Sequence, residues 1–327
     1  MKRQFSLIST VLLLLSLFGS VNNAQSAEEY PAKPITFILP TEAGSDLDIL
    51  TRPFAQKASS LLGKPIILVH KPGAGSSIGF REIHDAKPDG YTVGWGGLPL
   101  IMNKLQGILP YDYHEFTLLG TYYVLSNHVF GSTKTQPAFK TVQEVISFAK
   151  SHPGEIKMAT GAIGQTPWLG AMSFQAGTGI ELNIIPQPGV GAFIATQVAG
   201  GHAHLGVAGL PVMKPQIDAG NIRLLALLQT ERIPEYKDVP TMIGLGYKIT
   251  NSSTALIIGP PKMPKDITDK LTNVFKIAAA DPEYHKFIRG RFISPFYLAP
   301  DKLVGYLDEE RQTVRSIMDK AGILKVK

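Results

Sequence analysis

Two short stretches of this 327-residue chain have spacings that could do chemistry. Gly75-Ser76-Ser77-Ile78-Gly79 fits G-x-S-x-G, with an apolar run before it and a helix-length segment after it, so Ser77 is a candidate nucleophile of an exported serine hydrolase. Such an enzyme needs a general base and an oxyanion hole. Histidines follow at His202, His204 and His285, but there is no HGGG-type segment and nothing local couples an acid to any of them. The stretch therefore reads better as a turn with a helix cap. His202-Ala203-His204 would put two imidazoles on one face of a strand, yet with no acid nearby it reads as a polar strand end rather than a metal site. The chain has no cysteine, which removes thiol catalysis and thiolate metal sites. Gly73, Gly75 and Gly79 are spaced one residue too long for a dinucleotide fingerprint, and there is no Walker lysine motif, H-E-x-x-H or EF-hand loop. No cofactor and no metal are expected.

A different chemistry recurs along the chain. Ala43-Gly44-Ser45, Gly73-Ala74-Gly75-Ser76-Ser77, Gly164-Gln165-Thr166 and Gly189-Val190-Gly191 each follow a strand-like run and precede a helix-like one. Glycine permits close backbone approach there, and the helix start offers unpaired N–H groups at the positive end of its dipole. A carboxylate or phosphate can sit at such a place. For any one turn a plain cap is the simpler explanation, and Ser45 with Asp48 three residues on reads as a capping-box variant. Several such turns in two blocks shift the weight toward a shared anion site.

The elements that would carry these turns follow a strand–helix rhythm. Strands are expected at 35–40, 66–70 and 91–97, with helices from about Asp46 to Leu62 and up to about Ala86. After an irregular stretch near 100–130 the rhythm restarts. Helices are expected near 142–151, 169–177 and up to about Val198, and strands at 156–160, 182–186, 205–209 and 223–229. A Pro/Gly-rich stretch at 257–264 leads into three helices near 266–280, 282–290 and 300–320. Alternation of this kind implies parallel sheet with right-handed crossovers. Two α/β lobes facing a shared cleft are preferred over one large doubly wound domain, because the pattern starts twice.

Composition sets the compartment. Lys2 and Arg3 precede a short apolar run, and Ala24-Gln25-Ser26 supplies small residues for cleavage, so residues 1–26 are expected to be a signal peptide. Its removal leaves 30 basic against 26 acidic residues, with no Lys/Arg block, so no nucleic-acid partner is expected. An exported chain without cysteine must draw its stability from a core, which this length allows. No heptad or broad apolar stripe argues against a monomer.

The longest motifs resemble those of the periplasmic receptors of tripartite tricarboxylate transporters, the Bug receptors. YPAKPITFILPTEAGSDLDILTR is similar to the family opening, with Gly44, Ser45, Asp48 and Arg52 in register, and HKPGAGSSIG with KPDGYT is the most specific match. LPYDYHEFTLLG and KDVPTMIGLGY extend the resemblance over nearly the whole mature chain. It implies an α/β, two-lobed periplasmic binding protein (a Venus flytrap), each lobe a mostly parallel sheet flanked by helices. The lobes would be 27–128 with 253–327, and 129–252, hinged near 126–131 and 250–256. A small organic acid would be held between them and delivered to the transporter's membrane subunits; the same fold can instead signal to a membrane kinase. Carried over, the ligand-binding residues would be Thr41, Glu42, Ala43, Gly44, Ser45 and Asp48, with Gly97, Leu98 and Pro99. The other lobe would add Gly164, Gln165, Thr166, Trp168, Gly189, Val190 and Gly191. Glu42, Trp168, His204 and the PQPG at 186–189 depart from the family pattern, the last placing Pro188 where the family has lysine. Loss of that lysine and gain of Glu42 argue against a highly charged tricarboxylate such as citrate, and an aromatic or amine-bearing monocarboxylate would suit Trp168, by stacking, and Glu42, by pairing.

Overall fold

The computed structural model describes residues 29–187, 191–320 and 322–326. The expected signal peptide and the residues Gly189 and Val190 lie outside the described residues. The first strand and helix show how local sequence sets the frame. β1 (Ile35–Leu39) is buried along almost its whole length, and α1 (Asp46–Leu62) is opened by Ser45, whose hydroxyl accepts from Asp48 N–H, and closed by Gly63 in the left-handed region. β2 (Ile66–His70) and β3 (Thr92–Gly96) pair in parallel on either side of β1, joined by α2 (Ser77–His84). α3 (Leu98–Leu105) starts directly after β3, with Pro99 in its first turn, where a missing N–H costs nothing.

The stretch expected to be irregular contains the strand on which the molecule turns. β4 (Thr117–Ser132) is sixteen residues long. Its apolar, non-alternating sequence reflects burial on both faces: Val129 packs with α4 (Val142–Ser151) and α5 (Thr166–Thr178) on one side, and Phe130 with α6 (Ala192–Ala199) and α7 (Leu210–Asp218) on the other. β5 (Lys157–Thr160), β6 (Asn183–Pro186) and β7 (Leu205–Gly209) form a second parallel group, with β8 (Ile222–Leu227) pairing with β4. β9 (Ser252–Gly259) fills the place between β3 and β4, antiparallel to both.

The sheet order is β2-β1-β3-β9-β4-β7-β5-β6, so two parallel groups are joined through two antiparallel strands. This is the two-lobed α/β fold. β4 pairs with β9 as far as Ser126, opposite Ser252, and with β7 from Asn127 onward. At that change of partner the side chains also pair. Ser126 and Ser252 hydroxyls lie 2.8 Å apart, and Asn127 Nδ2 donates to Asn251 Oδ1 at 2.8 Å while its backbone N–H donates to the Asn251 carbonyl at 2.9 Å.

The C-terminal segment covers the first lobe. α8 (Lys265–Ala279) and α9 (Pro282–Arg289) pack on α1, where Phe54 stacks on Tyr122 at 4.4 Å and meets Phe275 at 5.8 Å. β10 (Ser294–Pro295) pairs with β4, and α10 (Pro300–Lys320) lies against β4, α3 and α5, with Tyr306 hydrogen-bonded to Thr254 at 2.7 Å.

Asn251→Ala would strand the buried Asn127 amide at the change of partner. The variant is expected to lose about 1–3 kcal/mol in urea unfolding with an unchanged m-value, whereas a loss below a few tenths would mean that the side-chain pair is dispensable.

Candidate functional site

The parallel strands of both groups end at one cleft. A cavity of about 90 Å³ lies there. Six helices begin at its wall: Ser45, Ser76, Gln165, Gly191 and Gly209 are the residues that open α1, α2, α5, α6 and α7, and Pro99 is in the first turn of α3. A helix start brings a positive dipole end and N–H groups without a helical partner, although at α3 the Leu98 N–H is taken by Ser253 Oγ and Pro99 has none. None of the described residues on the wall is Lys, Arg or His. The cavity thus offers an anion dipoles and hydroxyls rather than a fixed cation.

The remainder of the wall comes from the two joining strands and β3. Tyr123, Leu125 and Asn127 alternate along one face of β4, Ser253 comes from β9, and Trp95 from β3. Burial raises the Tyr123 phenol well above its ordinary value, so it stays neutral. Asp46, the first residue of α1, is also on this wall and is 9% exposed. Its Oδ1 is buried without a hydrogen-bond partner, and burial pushes its carboxyl up to about 7.

Of the residues expected from the sequence, the structure gathers Thr41, Ser45, Pro99, Gln165, Thr166 and Gly191 around the cavity. Thr41 and Ser45 hydroxyls lie 2.9 Å apart. Glu42, Ala43 and Gly44 are solvent-exposed and off its wall, so Glu42 does not place an acid in the cavity. Trp168 is buried but also off the wall; α5 starts at Thr166, ahead of the expected 169, and draws Trp168 into its first turn. The indole at the cavity is Trp95 instead. Gly97, Leu98 and Gly164 shape the turns without lining it, Leu98 N–H being taken by Ser253 Oγ at 3.3 Å.

Asp48 does structural work. Its Oδ2 accepts from Gly44 N–H at 2.8 Å and from Arg52 at 2.9 Å, and His70 Nε2 lies 3.0 Å from Oδ1. Burial would raise its pKa, but these bonds outweigh that and hold the carboxyl below its ordinary value. The nucleophile reading of Ser77 gains no geometry either. Ser77 is buried within the start of α2, and Ser76 is its neighbour on the cavity wall, donating to the Pro40 carbonyl at 3.2 Å. His204 Nδ1 accepts from Lys157 N–H and His285 Nε2 donates to the Ala279 carbonyl, both away from this wall.

Asp46, Trp95, Tyr123, Leu125, Asn127, Ser253 and Gly209 were not foreseen. Asp46 directly follows a turn already singled out, where the nearby cap drew attention to Asp48. The others come mostly from strands whose buried faces leave no alternation to read.

Residues 50–323 match the family described as tripartite tricarboxylate transporter family receptor. The chain belongs to that family. BugT of Bordetella pertussis, a curated relative, is 27% identical over 301 residues, covering 91% of this chain and 92% of its own. A solved structure described as a periplasmic transporter is 27% identical, with a TM-score of 0.83 over 90% of this receptor and 99% of that chain. An R. palustris protein solved with adipate, 24% identical, shares the fold with a TM-score of 0.84 over 91% of this chain and 100% of its own.

The two acids should respond to pH in opposite directions. In the ligand-free protein the folded Asp46 carboxyl, at about 7 against an ordinary 3.8, holds its proton more tightly than the unfolded one, so it removes stability as the pH rises through that interval. Asp46→Asn should match the parent below pH 4 and exceed it at pH 8 by at most ~4 kcal/mol in thermal melts, and no gain at pH 8 would contradict the burial argument. Asp48 is depressed, so its contribution is present above its unfolded pKa and lost as the pH falls through the lower folded one. Asp48→Ala should cost about 1–2 kcal/mol at pH 7, a gap that narrows in strongly acidic solution.

Proposed function

We propose that the protein is an exported solute receptor that captures a small organic carboxylate in the cleft and presents its closed form to the membrane subunits of a tripartite tricarboxylate-type transporter. The observation that carries this reading is the convergence of six helix starts on one cavity without a cationic side chain among its described wall residues. Helix dipoles and hydroxyls suit a single carboxylate; three charges on one ligand would find no cation to balance them there. The adipate in the R. palustris structure supports an aliphatic acid. The membership of the family supports the transporter as the destination.

The lobes are 27–128 with 253–327, and 129–252, and closure is a bend where β4 changes partner, between 126–131 and 250–256. What supports this is the switch from β9 to β7 at Ser126 and Asn127. Closing on the ligand shifts a two-state population, and the transporter selects the closed member. Residues 1–26 direct export and are removed. The receptor works as a monomer, without cofactor.

Thermal melts of the purified protein against mono-, di- and tricarboxylates test the reading. A carboxylate that binds the folded state should raise the melting temperature with concentration, by about 2.7 kcal/mol of stabilisation at a hundred times Kd, with no consumption of the acid. Citrate should shift it least. A fluorophosphonate probe should leave Ser77 unlabelled, whereas labelling with turnover would replace this reading by a hydrolase.

A further inference from the structure

We propose that Asp46 selects the ligand, and that the molecule it selects is a small aliphatic acid bearing a protonated amine as well as a carboxylate. This rests on the receptor reading and names the ligand class for the same cavity.

An acid in the first turn of a helix is ordinary when it faces water, because it complements the dipole there. Asp46 is enclosed instead, at 9% exposure, and its Oδ1 has no hydrogen-bond partner. Asp48, two residues on, shows what a structural acid in this turn looks like: a backbone N–H, an arginine and a histidine attend it. Nothing comparable attends Asp46, whose neighbours on the wall are neutral, Tyr123 included. A buried carboxylate oxygen without a donor is costly in the empty protein, and a ligand ammonium removes that cost by supplying both charge and hydrogens.

The surroundings hold the carboxylate in place. A Cβ on Gly209 would lie 2.6 Å from Asp46 Oδ2, so the start of α7 comes close over this acid and a larger residue there would push the carboxylate aside. The same wall carries a matching donor. Trp95 Nε1 is also buried without a partner, and together with the helix starts it faces the need of the other end of the ligand, the carboxylate. Two residues of one small wall, one with an orphan acceptor and one with an orphan donor, suit a molecule that carries both charges. At about 90 Å³ the cavity suits a small ligand, and the aromatic acid was expected from the indole of Trp168, which stands off the wall. The amine that Glu42 was expected to pair falls to Asp46.

The test compares matched acids with and without the amine by titration calorimetry at pH 8. The pairs are β-alanine with propionate, 4-aminobutyrate with butyrate, L-aspartate with succinate, and L-glutamate with glutarate. In the parent protein the amine-bearing member of at least one pair should bind about 10-fold or more tightly than its partner, and Asp46→Asn should bring that pair to near equality by weakening the amine-bearing member. The parent comparison needs no variant, so it stands even if Asp46→Asn folds poorly. Carboxylates that bind without any amine preference, or a preference that survives in Asp46→Asn, would overturn the assignment and leave the receptor reading intact. No binding by any member of the panel would overturn both.

Discussion

The pairing of β4 with β9 is the constraint on which the cleft depends. Because β4 runs on from its pairing with β9 into its pairing with β7, the two parallel groups are fixed with the carboxyl ends of their strands toward the same space. Every helix that follows such a strand then starts there, and the glycine-bearing turns of four separate sequence stretches become one surface. The paired asparagines Asn127 and Asn251 keep the backbone satisfied at the point where β4 gives up one partner for the next.

Within that frame two aspartates a helical half-turn apart illustrate how little of a residue's role lies in its type. Asp48 is surrounded by donors and secures the turn, whereas Asp46 is surrounded by apolar and neutral groups and faces the cavity. Burial acts on both. The difference in direction of their pKa values comes from the hydrogen bonds that only one of them receives.

Much of the fold was legible because its signals are local. Ser45, Asp48 and Gly63 mark both ends of α1, Thr141 caps α4, and glycine turns bracket the short parallel strands. β4 was missed for a physical reason: a strand buried on both faces has no alternation, and Gly120 and Asn127 interrupt its apolar run. With it went the residues it presents to the cavity, Tyr123, Leu125 and Asn127, and Ser253 from β9 beside it. The turn grammar did identify part of the wall, including Thr41, Ser45, Gln165 and Gly191. It could not distinguish residues that line a turn from those that only shape it, so Glu42 and Trp168 were expected at a wall from which they stand off.

The wall of dipoles also bears on letting go. A pocket built on lysine or arginine leaves a bare buried cation each time its anion departs, and that desolvated charge opposes unloading. Backbone N–H groups at helix starts have no net charge to strand, and water can occupy them once the anion has gone. The dipole side of the cavity therefore adds no such penalty to discharge, and what opposes unloading is confined to the one buried acid among the described wall residues, Asp46.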